Sequence, residues 1–285
     1  MTPLREQMID AMLLRGFSPR THQSYLMAVK DLARYYKRPP DQLNEDELQA
    51  YFLYLVKKRG LSDASCRLYR NAIRFFYRQV LKQDAFDVQL QVPRRKQRIP
   101  ELLQRAEIVR LLQACSNLKH RTLLLTCYGC GLRVSELVAL RPRYIDAERG
   151  LLRIEQGKGG KDRHVIMPAT LLRHLRDYWR IVKPEHWLFP NEQHPDEALS
   201  ISTPQKVYQR AKRQAGIEKV GGIHGLRHAY ATHQLQAGMP VQQLQYQLGH
   251  SSIQSTLRYV HWVFSDSQRD QGGIDLIAAL GLSDG

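Results

Sequence analysis

Between residues 83 and 100 helical periodicity is lost, and the segment closes on Pro93-Arg94-Arg95-Lys96-Gln97-Arg98-Ile99-Pro100. Proline lacks the amide donor an α-helix needs and pushes the residue before it toward extended backbone. A stretch bounded by prolines and carrying four cations lacks the apolar surface to join a core. It reads as a linker, so the chain is two folded modules rather than one. The expected division is a helical module over residues 1–88, a basic linker over 89–100, a larger domain over 101–265 and a tail over 266–285. With 285 residues and 43% hydrophobic content, both modules can bury cores.

Start and stop signals predict four helices before the linker. The first covers residues 3–15 and ends at Gly16. The second begins at Ser18 with Pro19 at its first position, and Pro39-Pro40 stops it. Tyr25, Leu26, Val29, Leu32, Ala33 and Tyr36 recur along it at three and four residues. The third opens with Asn44 and Glu47, a capping-box spacing, and buries Leu48, Tyr51, Phe52 and Leu55 before Gly60. The fourth runs from Ser62 and turns Ala72, Ile73, Phe76 and Val80 inward. Arg67, Arg70, Arg74 and Arg78 share its other side.

After the linker, helices are expected over 104–115 and 119–129. Gly129 and Gly131 bracket a turn, and Arg133 opens another short helix with Glu136 one turn on, placed to hold it. Two strands, 151–155 and 164–167, flank Gly157-Lys158-Gly159-Gly160-Lys161-Asp162. This is a hairpin tip with Lys158 free to swing, and it lacks the pattern of a P-loop. Helices over 170–182 and 203–215 follow, with Trp187-Leu188-Phe189-Pro190 as a buried connection. The end of the domain reads as three helices: His224 to about Gln236, Pro240 to about Leu248, and about 252–261. In this reading Tyr246 packs inward, and Lys161 and Arg163 either touch phosphate or stay solvated.

Composition narrows the partner. The chain carries 43 Lys+Arg against 27 Asp+Glu, a net charge of +16. Residues 1–100 hold 19 basic and 10 acidic residues, the remainder 24 and 17, so both modules can meet one polyanion. The arginines at 67, 70, 74 and 78, with Arg94, Arg95, Lys96, Arg98 and Lys161, are candidate contacts to DNA phosphates. The four cysteines form no disulfide framework, which points to a reducing compartment. Cys127 and Cys130 lack the second pair a zinc ribbon needs and read as packing residues. No leader or run of about 18 apolar residues is visible, so an intracellular protein at the nucleoid, without membrane contact, is expected.

The stretch HGLRHAYATHQLQAGMPVQQLQYQLGHSSIQSTLRY, residues 224–259, carries the chemistry. It supplies His224, Arg227, His250 and a single well-placed tyrosine, Tyr259. Two histidines, an arginine and a tyrosine are parts for phosphoryl transfer to a protein hydroxyl. The tyrosine hydroxyl, with a free pKa of about 10, needs a base and cations. Fixed guanidiniums suit a phosphorane-like transition state. The three histidines of HGLRHAYATH do not have the spacing of a zinc-protease motif, and no metal or other cofactor is expected.

GLRVSEL around Arg133, GKGGKDR around Lys158, HGLRHAYATH, LGHSS and the following Tyr259 together resemble the active-site pattern of the tyrosine recombinases, the phage-integrase family. Xer-type and integron-integrase-like members are the most similar. The stretch from Phe189 to His224 is too short for the extra helix of integron integrases. The resemblance spans the whole chain. It implies a mainly α fold, with a helical SAM-like core-binding domain and an α-rich catalytic domain bearing a small β-hairpin.

It also implies that Tyr259 is the nucleophile, His224 the base, Arg133 and Arg227 the clamp on the phosphate, His250 a further donor and Lys158 the general acid. The product would be a 3′-phosphotyrosine, resealed without ATP. The expected partner is double-stranded DNA carrying recombination sites, bound by four copies on synapsed DNA. Residues 274–280 are a candidate exchanged helix, and His228 a structural neighbour. Two alternatives stay open: a type IB topoisomerase-like strand transferase, and a catalytically silent DNA-binding accessory protein.

Overall fold

Side-chain caps set the helix boundaries of the first unit. In this computed structural model, which describes residues 3–83, 101–155 and 162–267 (the last four as backbone only), α1 spans Pro3–Leu13 and α2 Pro19–Tyr36. The Ser18 hydroxyl accepts from the Thr21 amide at the start of α2. A 3-10 turn at Pro40–Gln42 leads to α3, Glu45–Lys57. There Asn44 and Glu47 form the reciprocal capping box that the spacing predicts. Ser62 caps α4, Asp63–Phe75. The first helix is two residues shorter than expected because the chain already turns at Leu14–Gly16.

The fourth helix departs from its predicted pattern at its end. Phe76–Val80 form a π turn, with the Leu81 amide bonded to the Phe76 carbonyl at 3.1 Å. A π turn is wider than an α turn, so it shifts which side chains face the core. Phe75, Phe76 and Tyr77 are all buried, whereas Val80, expected inside, is only half-buried. These aromatics join Met8, Met12, Leu32, Leu48, Tyr51 and Leu55 in the first core. Asp31 ties α2 to the others by accepting from Tyr69 of α4 at 2.6 Å and from Arg59 at 3.0 Å.

The second unit is built round α6, Leu118–Gly129. Thr122, Leu123, Leu124, Thr126 and Cys127 are buried on several sides of this helix, and it packs against α5 (Arg105–Gln113), α8 (Ala169–Val182), α9 (Ser202–Gln214) and α10 (His224–Gln236). The short α7, Val134–Val138, follows it. The four cysteines are free and buried, and burial pushes the thiols of Cys127 and Cys130 up to about 12, so both are inert packing groups.

Three antiparallel strands lie in the order β1 (Ile145–Asp146), β2 (Leu151–Ile154), β3 (Arg163–Ile166), with Leu152 opposite Val165. Two of these were expected. β1 escapes a pattern search because two residues cannot display alternation. The chain closes with α11 (Val241–Leu248) and α12 (Gln254–Ser267). Tyr246, expected to pack, is 61% exposed on α11, while its neighbour Gln247 is buried. The chain falls into two compact units, Met1–Arg98 and Ile99–Gly285. Among the described residues no helix is long and apolar enough to cross a membrane. Residues 84–100, which include the expected linker, and the apolar segment 274–280 lie outside the described residues.

Candidate active site

The end of α11 is the anchor of the site. The last carbonyls of a helix have no partner within it, and its C-terminal end is negative. Here three arginines from three other elements supply the missing donors to three successive carbonyls. Arg163 of β3 donates Nε–H to Gln247 at 3.2 Å, Arg227 of α10 donates to Leu248 at 2.6 Å, and Arg133, before α7, donates to Gly249 at 2.9 Å. Gly249 carries φ +61, and a Cβ there would come within 2.9 Å of the Arg163 side chain.

Glu136 neutralises part of this cluster. Its carboxylate accepts two hydrogen bonds from Arg163, at 2.8 and 2.9 Å, one from the Arg133 side chain at 2.7 Å and one from the Arg133 amide at 2.9 Å. Burial would raise the pKa of this carboxyl, but the Arg163 and Arg133 contacts outweigh it and bring the value down to about 2. Arg227 is 1% exposed and also donates to the Gly131 carbonyl at 2.7 Å. Burial and the nearby Arg133 charge lower even its guanidinium pKa to about 10. The expected pairing of Arg133 with Glu136 is present. The expectation for Arg163 is not met: it is buried and bidentate to Glu136, neither a solvated residue nor one free to touch phosphate. The signal lies in β3, which begins one residue earlier than predicted. Arg163 then shares the inward side with buried Val165.

Gln247 is a second residue that the sequence reading passed over. Its amide accepts from the Ile166 amide at 3.0 Å and donates to the Ile166 carbonyl at 3.1 Å, as a neighbouring strand would. Helix α11 is thereby fixed to the sheet edge.

Around this frame stand the titrating groups. His224 occupies the first turn of α10 with an exposed ring. Desolvation by the protein packed beneath it, then the Arg227 and Arg133 charges, hold its pKa below the ordinary imidazole value. His250 is half-buried, its Nδ1 2.8 Å from the Thr256 hydroxyl, and burial with the same arginines lowers it to about 4. Tyr259 of α12 is 4% exposed. Its ring stacks on His250, with centroids 6.2 Å apart and 7° between planes, and Trp262 meets it edge-on at 5.1 Å. Burial raises the phenol pKa, while Arg227 and Arg133 draw it back down. The hydroxyl lies 2.9 Å from Nδ1 of His228.

Five of the six expected site residues, Arg133, His224, Arg227, His250 and Tyr259, therefore meet around one point. Lys158 lies outside the described residues, as do Lys161, Arg94, Arg95, Lys96 and Arg98. On α4, Arg67 and Arg70 are half-buried and Arg74 exposed; Arg78 is half-buried in the π turn. The histidines of HGLRHAYATH diverge: His228 faces Tyr259, and His233 pairs with the Tyr128 hydroxyl at 2.9 Å. Among the described residues no group of three or more His, Cys, Asp or Glu is arranged to hold a metal ion.

The phage integrase family model matches residues 101–265, and the model for the phage integrase N-terminal SAM-like domain matches residues 4–87. A Sinorhizobium fredii protein described as a putative integrase/recombinase is 38% identical over 91% of this chain and 84% of its own length. The tyrosine recombinase XerA of Thermococcus kodakarensis is 32% identical over 94% of this chain and 93% of its own. Among solved structures, a lambda integrase dimer bound to a core site superposes with a TM-score of 0.74 at 19% identity, covering 96% of this chain and 79% of that one. The fold is therefore mainly helical with a SAM-like N-terminal domain, and the chain belongs to the phage integrase family of tyrosine-type site-specific recombinases.

Proposed function

We propose that this recombinase cuts and rejoins duplex DNA through a covalent 3′-phosphotyrosine at Tyr259. The observation that carries the reading is the convergence of Arg133, Arg227, His224 and His250 on the buried Tyr259, from three separate places in the chain. Arg133 and Arg227 offset the charge that builds on the non-bridging oxygens as the phosphorus becomes five-coordinate. His250, and His224 at the mouth of the site, are placed to add hydrogen bonds there. The Tyr259 oxygen bonds to phosphorus, the bond to the 5′-oxygen breaks, and that oxygen leaves with a proton supplied by Lys158. The phenol proton passes to a histidine of α10, a role the family resemblance gives to His224. The energy of the broken ester is kept in the new one, so the 5′-hydroxyl can reverse the step without ATP and without a metal.

Four copies on two synapsed sites would exchange strands; a lambda integrase tetramer bound to a Holliday junction shares the fold, with a TM-score of 0.73. The arginines of α4 and the basic linker would track phosphates, and the nucleoid would be the place of action. Nicked duplexes tiled across the DNA that flanks the gene provide the test. The nick lets the short cleaved strand diffuse away and traps the adduct. Wild-type protein should form a denaturation-resistant adduct with at least one duplex, and Tyr259→Phe should form none. An adduct that survives Tyr259→Phe sinks the assignment.

A further inference from the structure

We infer that His228, rather than His224, takes the proton from Tyr259 when its hydroxyl attacks phosphorus. The inference rests on the recombinase reading of the site and names the proton acceptor within it. His228 lies one turn after His224 on α10, and its Nδ1 is 2.9 Å from the Tyr259 oxygen. No hydrogen bond joins His224 to Tyr259 among the described residues. The His224 ring instead stands edge-on to His228, with centroids 4.4 Å apart, and is exposed where a phosphate would enter. The two histidines thus divide the space: one at the mouth, one against the nucleophile.

The direction of the hydrogen bond follows from the surroundings. Burial keeps the phenol protonated and the His228 imidazole neutral. The positive charges of Arg227 and Arg133 act on the phenol oxygen, and a phenol O–H is a stronger donor than an imidazole N–H. The proton therefore points at Nδ1, and Nε2 carries the imidazole hydrogen. Trp262, edge-on at 5.7 Å, and Tyr259 fix the ring plane. The titratable or charged groups acting on His228 are His224 and Arg227 of its own helix and Tyr259 of α12.

In the DNA-free protein these neighbours make His228 a weak base. An incoming phosphodiester brings a negative charge into the arginine cluster and raises the affinity of a nearby imidazole for a proton. Base strength therefore arrives together with the substrate. In the step itself the Oη–P bond forms, the P–O5′ bond breaks, the phenol proton moves to Nδ1 of His228, and the 5′-oxygen is protonated by the general acid. Resealing returns the His228 proton to the phenol oxygen.

Single-turnover trapping on the nicked duplex that wild type captures best provides the test, as a function of pH. Asparagine keeps a hydrogen-bonding atom at the δ position but cannot take a proton near neutrality. His228→Asn should lower the trapping rate by about 100-fold, the scale of a lost general base, and abolish the fall in rate on the acid side. His224→Asn should slow trapping but retain that acid limb. A His228→Asn enzyme that keeps the acid limb, whatever its rate, overturns the inference.

Nitrogen-15 spectra of the wild-type histidines test it without a variant. Nδ1 of His228 should be the unprotonated nitrogen, and a protonated Nδ1 at neutral pH overturns the inference. Failure of the wild-type protein to form any adduct overturns the recombinase reading and this inference with it. Adduct formation with an unchanged His228→Asn profile overturns the inference alone.

Discussion

At the scale of single residues, Glu136 is the group on which the arginine cluster depends. It is 6% exposed and holds Arg133 and Arg163. Its folded pKa, about 2 against an ordinary 4.5, lies below the free value. The ionised form therefore stabilises the fold by ~3 kcal/mol, a contribution complete above the free value and lost as pH falls toward 2. Glu136→Gln should cost about 3 kcal/mol near neutral pH, because it leaves buried arginines uncompensated. The difference between wild type and variant should shrink as pH is lowered from 5 toward 2. All three tryptophans, Trp179, Trp187 and Trp262, lie in the second unit. Urea unfolding followed by their fluorescence reads this unit alone. A loss within 0.5 kcal/mol of zero at pH 7 would show that the network adds nothing to stability. The role of Glu136 as partner of Arg133 was legible from three-residue spacing. Its stronger partner, Arg163, was not, because that residue arrives from 27 positions away.

Elements are joined here by close approach as much as by caps. Gly131 follows α6 with φ +62, and a Cβ built on it would stand 2.4 Å from the Tyr230 ring of α10. Gly216 follows α9 with φ +63 and has nothing within 4 Å of that position. Both should suffer the left-handed strain of an L residue, roughly 1 kcal/mol. Gly131→Ala should cost about 2 kcal/mol more than Gly216→Ala, since ring or backbone must move in a packed interior. Tryptophan-monitored unfolding of the two variants checks this, and equal losses would mean that α6 and α10 can separate cheaply. The glycines were readable as turns; which of them admits another helix was not. The π turn at Phe76–Val80 has the same character. Helical periodicity located the helix, but a change in winding moved Phe75 and Tyr77 into the core.

For the whole molecule the dominant quantity is charge. The excess of +16 is shared by both units, so each can release counterions from a DNA backbone. Arg74 is exposed on α4, and Arg74→Ala should weaken DNA binding similarly across sequences. It should also lower the slope of log affinity against log salt by about 1. Titration of a wild-type-trapped duplex at several salt concentrations measures both, and an unchanged slope would remove Arg74 from the phosphate contacts.

Helix positions, the caps at Ser18, Asn44 and Ser62, and the order of the site residues were all determined by the sequence alone. These depend on neighbours within a few residues, where spacing and side-chain chemistry act directly. The family pattern added which residues belong to one site. Only the tertiary structure decided that three arginines close the end of α11, that Arg163 is buried against Glu136, and that His228 is the histidine within hydrogen-bonding distance of the Tyr259 hydroxyl. Those contacts join residues 21 to 116 positions apart. They exist because burial in a shared interior leaves each carbonyl, carboxylate and hydroxyl with only the donors or acceptors that other elements bring.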